Sequence, residues 1–379
     1  SWLGAQPPGN LPIEHIFPLW GSVTGNVFPG VSVPFGMVKI GPDAAGLPSA
    51  NSGYRPIGNI AGFSHTHTSG TGGAPRYGNI LLCPAFGDQL LFAENGFDRS
   101  NEQAELGKYT TTLISDRGNI EVSVTASHRA AIHRYWFRSP HEDSDTGFIL
   151  IDISHTLSRN RQFGTRCTGA EGRMLNDSVC LGYASFQGGW GSAAPYTVYF
   201  SILFEKLVQR INGVQDGKLI PGVKVLQGEN IRFIAGFKLP DSKIVQAKVA
   251  LSYLNEEEAL LNLNELQGWD FESLSNQCKM AWQPYLSVIT VKGGSDSEKA
   301  MFYSALRNTL LMPTDVTGQT NVHHNKPEYW DFYAIWDTYR TVMPLHTLLY
   351  PERQRGILNS LLQVYADSGW LPDAYIAGH

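Results

Sequence analysis

Between about residues 30 and 253 the chain shows no helical period of useful length, and this absence constrains the fold more than any motif does. Apolar residues fall instead into short runs divided by turn residues: AIHRYWFR (131–138), GFILIDIS (147–154), APYTVYFSILF (194–204) and VQAKVALSYL (245–254). Such runs read as strands. Parallel neighbours would need helical crossovers, and none is available, so the predicted sheets are mostly antiparallel. The expected product is a large β-sandwich. With 379 residues, 42% of them hydrophobic and 17% charged, the chain has material for more than one core.

Near Asn255 the texture changes. NEEEALLNLNEL opens with a capping residue and acids in the first turn, then spaces its leucines at three and four. After Gly293 and Gly294, SDSEKAMFYSALRNTLLMP repeats the pattern, putting Met301, Phe302, Ala305, Leu306 and Leu310 on one side and stopping at Pro313. A third helix is predicted in PERQRGILNSLLQVYADSG, with Pro351 in the first turn and Gly369 as the C-terminal cap. The predicted organisation is a β-sandwich domain over 1–254, a helical linker over 255–294 and the first helices of a larger α domain over 295–379. So few one-sided helices cannot bury their apolar faces alone.

Several partner classes are excluded. A formal net charge of -5 offers no basic stripe for nucleic acid. No apolar run reaches the roughly 18 residues of a membrane-spanning helix. The first residues, SWLGAQPPGN, lack the basic start and apolar core of a signal peptide, as a processed mature form would. Cys83, Cys167, Cys180 and Cys278 show no zinc spacing, although Cys167 and Cys180 could close one short loop. The 9 Trp, 16 Tyr and 18 Phe serve core packing first and flat ligands second.

Four stretches carry possible chemistry. In GFSHTHTSGTGG (62–73), Phe63, His65 and His67 alternate and share a face if extended. Two imidazoles on one face suit zinc or copper, but no third ligand lies nearby. Phosphate is disfavoured because the glycines lack the Walker lysine and precede a strand, Tyr77 to Pro84, rather than a helix. A hydroxyl-stabilised turn and a pocket rim both remain open. In the second reading His65, His67, Ser69 and Thr71 bond a polyhydroxyl ligand, while Gly70 and its neighbours let backbone approach. In EYWDFYAIWDTYRT (328–341), a helix beginning near Ala334 would put Trp336, Tyr339 and Arg340 on one face and pair Asp337 with Arg340. That is a surface ion pair beside core aromatics, or the ring platform, carboxylate and guanidinium of a saccharide site. His323 and His324 precede it in a polar loop. VSVPFGMVKI within residues 25–43 reads as a strand entering the sandwich, and GWLPD (369–373) places Trp370 and Asp373 in a loop after a helix stop. One sequon, Asn176-Asp177-Ser178, permits a glycan in a glycosylating host.

VFPGVSVPFGMVKIGPD, GYRPIGNIAGFSHTHTSGTGGAPRYGNILLCP, WDTYRTVMPLHTLLYPER and GWLPD stand in an order and at separations that resemble glycoside hydrolase family 92, the calcium-dependent exo-α-mannosidases. The resemblance runs from about His15 to the end. It implies a β-sandwich followed by an (α/α)6 barrel, with the active-site pocket where the two meet. It also implies that the loop from His65 to Thr71 reaches into that pocket. Asp337 would hold hydroxyls of a terminal mannose, with Trp336 and Arg340 beside it. Expected partners are mannose-containing glycans or oligosaccharides, the expected cofactor is calcium, and the expected location is secreted, periplasmic or cell-surface. Family members continue well past GWLPD, which puts the general acid, the general base and most calcium ligands beyond His379. GNVFPG is shorter and less polar than the family's usual version, which leaves Asn26 without an assigned role. The rival readings are a non-catalytic sugar-binding protein and another β-sandwich/(α/α)6 glycoside hydrolase or phosphorylase.

Overall fold

The computed structural model describes residues 12–46, 51–71, 75–87, 95–139, 145–157, 164–189, 195–320, 326–332 and 334–378. Two antiparallel sheets dominate. The first runs Gly41–Ala44, Ile60–Ser64, Leu81–Ala85, Thr146–Asp152, Ile231–Lys238, Arg210–Gln215, Lys218–Pro221 in spatial order. The second has nine strands, from Val225–Gly228 through Arg166–Met174, Val179–Gln187, Tyr196–Phe204, Ile244–Ser252, Ala130–Arg138, Gly118–Ala126 and Lys108–Ser115 to Asp98–Glu105. Each of the four runs singled out in the sequence supplies the body of a strand, at Ala130–Arg138, Thr146–Asp152, Tyr196–Phe204 and Ile244–Ser252. Their inward residues, among them Ile151, Phe200 and Val249, are fully buried in one continuous core drawn from both sheets.

VSVPFGMVKI does not form the expected strand. Val31 and Ile40 bridge each other, Gly36 N–H donates to Val33 O at 3.0 Å, and Phe35 takes a φ of 55°. The segment therefore reverses on itself, and the strand begins only at Gly41. Cys167 and Cys180 are both free: Cys180 faces Met174 and Cys167 faces Phe186, at opposite ends of one hairpin, which rules out a bond between them.

Helices follow where the caps predict. Asn255 Oδ1 accepts from Glu258 N–H at 2.8 Å and opens Glu256–Asn262. Ser295 and Glu298 form a capping box on Asp296–Asn308. Pro351–Ser368 ends at Gly369, whose φ of 80° relieves the turn. The buried face of Asp296–Asn308 differs from the expected one. Ala300, Tyr303, Ser304, Leu306 and Arg307 point inward, whereas Met301 and Phe302 are 60% and 38% exposed. Arg307 turns the helix this way by donating from the interior to Phe28 O and Gly30 O, both at 2.9 Å. A second core forms there, joining Phe28 and Phe35 to Trp282, Leu306, Tyr329 and Ile357.

Candidate active site at the seam of sandwich and helices

From Ser64 the chain leaves the first sheet, and by Ser69 it has reached Met312 at the helical part. Its two histidines lie inside rather than on a rim. His65 is fully buried, with Nδ1 2.5 Å from Ile80 O and Nε2 2.9 Å from His133 Nε2. Burial pulls its pKa down to about 4, against the bond to Ile80. The neutral ring must then donate from Nδ1 to the carbonyl, so His133 Nε2–H donates to His65. That leaves His133 Nδ1 to accept from Tyr135 Oη–H at 2.8 Å. Burial, then the nearby His65, hold His133 well below its ordinary range too. The three side chains form one neutral, directed chain through the interior.

His67 belongs to a different network. Its Nδ1 faces Lys39 O at 2.6 Å and its Nε2 faces Asp43 Oδ1 at 2.7 Å, two acceptors that call for protons on both nitrogens. His155 Nε2 donates to the other Asp43 oxygen at 2.8 Å. Burial opposes charge on Asp43, yet His67 and His155 together hold its carboxyl at about 2. Phe28 stacks on His67 with centroids 4.7 Å apart. Gly53 is obligatory beside them, since its φ is 75° and a Cβ there would come within 2.7 Å of Asp43 Oδ1. With every ring nitrogen committed to protein, His65 and His67 have none left for a metal or a sugar in this arrangement. Among the described residues no group of three or more His, Cys, Asp or Glu could hold a metal ion.

The remainder of the loop reaches the surface. Ser69 is half-buried: its Oγ accepts from Phe28 N–H at 3.1 Å and its own N–H points at Met312 Sδ at 3.0 Å. Gly70 is exposed, with its N–H on Asn26 O at 2.7 Å, and Asn51 Nδ2 holds Thr71 O at 2.9 Å. The loop thus runs from the interior at His65 to the surface at Gly70, with the Ser69 hydroxyl stabilising it as a turn. Gly72 and Gly73, like His323 and His324, lie outside the described residues.

Tyr77 closes the seam. Its hydroxyl donates to Asp331 Oδ1 at 2.5 Å, and Ala377 N–H approaches the same oxygen at 3.3 Å. Lys39, buried and pulled down to about 8 by burial against the field of Asp331, donates to Gly36 O at 2.6 Å and Thr314 Oγ1 at 2.9 Å. Sequence reasoning missed Asp43, His155, His133, Tyr77, Asp331 and Lys39. The available signal was Asp43 in IGPD, a carboxylate at the end of an apolar run, which needs interior partners.

Beyond Asp331 the WDTYR stretch forms the short helix Ile335–Thr338, entered from Ala334 at a φ of 48°. Trp336 is 46% exposed, and Asp337 and Arg340 form an open ion pair at 3.5 Å with side chains 61% and 64% exposed. Such a pair contributes little to stability. GWLPD comes alongside: Ile335 N–H donates to Asp373 O at 3.1 Å, Phe332 bridges Tyr375, and Trp370 is 79% exposed. Two stretches about 30 residues apart are thereby joined, with aromatic and charged side chains turned outward.

Family models for this geometry match in two parts. The glycosyl hydrolase family 92 N-terminal domain matches residues 15–252 and the family 92 catalytic domain matches residues 258–379. The chain belongs to glycoside hydrolase family 92. It is 27% identical over 369 residues to an uncharacterized secreted glycosidase of Arthroderma benhamiae, covering 90% of this chain and 46% of that protein. It is 28% identical to a family 92 α-mannosidase of Bacteroides thetaiotaomicron in complex with mannoimidazole, with a TM-score of 0.87 over 98% of this chain and 50% of that one. A family 92 inverting mannosidase of the same organism, 22% identical, shares the fold with a TM-score of 0.83 over 99% of this chain and 51% of that one. The chain thus spans about half the length of these relatives.

Proposed function

We propose that the protein to which this chain belongs is a secreted exo-α-mannosidase that releases single terminal mannose residues with inversion. The observation that carries the reading is that Trp336, Asp337, Arg340 and Trp370 stay exposed on two stretches that Ile335 N–H ties to Asp373 O, in a chain 98% of which aligns with an α-mannosidase at 28% identity. Secretion is supported by the secreted fungal relative. Among the described residues no helix is long and apolar enough to cross a membrane.

In this reading Asp337 accepts protons from two sugar hydroxyls, Arg340 donates back, and Trp336 or Trp370 faces the ring. Ser69 and Gly70 form the sandwich's side of the rim. His65 and His67 act behind it, fixing the loop. Inversion needs, besides Asp337, a pair of carboxyls about 6.5–9.5 Å apart, one acid and one base. Asp43 and Asp331 cannot supply them, because protein donors already hold both. The acid, the base and the remaining helices of an (α/α)6 barrel are assigned to the part of the protein outside this chain. Calcium is part of the same proposal, with its oxygen donors assigned to the same outside part.

The test is hydrolysis of α-mannosides by the full-length protein, followed by NMR of the released sugar. Mannose appearing first as the β anomer supports inversion, and the α anomer overturns it. A folded protein that binds mannose but hydrolyses no α-mannoside linkage is a sugar-binding protein instead.

A further inference from the structure

We propose that Asn176 is an acceptor for an N-linked oligosaccharide. The residue stands in the turn between Arg166–Met174 and Val179–Gln187, exposed, and starts the Asn-Asp-Ser sequon. Ser178 donates twice to Asn176 Oδ1, from its N–H at 2.8 Å and its hydroxyl at 2.9 Å. The side-chain carbonyl is thus pinned to the turn, and Nδ2 makes no hydrogen bond to any described residue. The nucleophilic nitrogen is the free end.

The surroundings suit a bulky, polar attachment. Leu175, Leu207 and Val225 are 59%, 61% and 56% exposed. Val208 N–H donating to Asp177 O at 2.7 Å and Met174 N–H to Lys224 O at 2.8 Å bring their segments to this turn. Beside them lies a hollow of about 280 Å³ lined by Met174, Asp177, Val208, Arg210 and Lys224. A sugar chain leaving Asn176 covers this apolar ground, which single exposed side chains otherwise leave to water.

The position also keeps the glycan away from the seam. At the other end of the same hairpin, Thr165 Oγ–H reaches Pro75 O at 3.3 Å and Gly188 O at 3.4 Å, next to the loop described above. Nine-residue strands at about 3.3 Å per residue separate the two ends by roughly 30 Å. In the transfer, Asn176 Nδ2 forms a bond to the anomeric carbon of a lipid-pyrophosphate-linked oligosaccharide. The bond from that carbon to the pyrophosphate breaks, and the lipid pyrophosphate leaves with the proton lost by the amide.

The inference rests on the secretion reading, so its test supplies entry independently. The full-length protein is made in yeast behind a secretory leader, and the intact mass of the exported product is compared before and after peptide-N-glycosidase. A discrete excess mass, removed by the enzyme and missing from both Asn176→Gln and Ser178→Ala, is expected. An exported wild-type protein of unmodified mass overturns the assignment, as does an excess mass at the wild-type level that persists in Asn176→Gln. The fate of the protein under its natural leader is measured separately and bears only on secretion.

Discussion

The sandwich and the helices that follow it differ in how their surfaces close. In the sandwich buried charges are paired: Arg232 pairs with a fully buried Asp152 at 2.9 Å, and Asp43 is held from both sides by histidines. Pro351–Ser368, by contrast, buries Ile357 and Leu361 on one side while Leu358, Leu362 and Tyr365 remain 45%, 60% and 52% exposed on the other. Leu348 and Trp370 nearby are 81% and 79% exposed. A stripe of this kind is the outer half of a helix that packs on two sides. The β part closes on itself, and in the proposed function the helical part is one wall of a larger domain.

That contrast is broken first at Asp43. Replacing it with Ala strands His67 and His155 against an empty interior. We expect a loss of about 3–5 kcal/mol, the cost of removing one partner of a buried charged set. Chemical unfolding reads it as a lower midpoint at unchanged slope. A loss under about 1 kcal/mol would mean that water reaches this network and the sandwich is less closed than drawn.

Asp337→Ala tests the open wall. Its carboxylate is 61% exposed and its partner Arg340 is 3.5 Å away, so the variant should melt with the wild type. In the full-length enzyme it should lower kcat/KM by about 2–4 kcal/mol, roughly 30- to 1000-fold, by leaving sugar hydroxyls unpaired. Near-normal turnover removes Asp337 from the site. A chelator separates the two parts again: activity should fall and return with added calcium, while the stability of the sandwich stays constant, since its described residues offer no metal cluster.

Acid should act on buried histidines in both parts, since burial also pulls His346 of the helix Val342–Leu349 down to about 4. His65 titrates at about 4 when folded and near 6.5 when unfolded, and His133 is shifted in the same direction, so the native state resists protons that the unfolded chain accepts. Their stabilisation is complete above pH 6.5 and is lost as pH falls toward 4. Asp43 adds to this lower down, because its depressed carboxyl keeps its stabilising charge until pH approaches 2. Unfolding midpoints measured from pH 7 to 4 should decline, and a flat profile would deny that the histidines are buried and neutral. Tyr135→Phe, which removes the hydroxyl donor to His133, should cost about 1–2 kcal/mol at neutral pH.

The sequence announced what depends on period and local chemistry. Alternation gave the strands, the missing crossovers gave antiparallel pairing, and Asn255, Ser295 and Gly369 marked helix ends by hydrogen bonds made within a few residues. What it withheld depends on distant partners. Period placed His65 and His67 on one face but could not say that His133 and Asp43 would wait behind it, 68 and 24 residues away. The face of Asp296–Asn308 was misjudged for the same reason, because the carbonyls that draw Arg307 inward lie near residue 28, outside any local window. VSVPFGMVKI looked apolar enough for a strand, yet Phe35 and Gly36 bend it.

Leu362→Ser sharpens the comparison with the smallest effect. Leu362 is 60% exposed on the outer stripe, so in the chain of 379 residues the substitution removes little buried surface. The unfolding free energy should move by no more than about 0.5 kcal/mol. In the full-length protein, with the proposed remainder of the barrel against that stripe, the same change should cost about 2–5 kcal/mol, as truncation of a buried leucine does. Measured side by side, the two proteins turn one substitution into a report on what covers the helix. Equal and small effects in both would mean that the stripe stays in water, and that the helices after Asn255 do not continue as a closed domain.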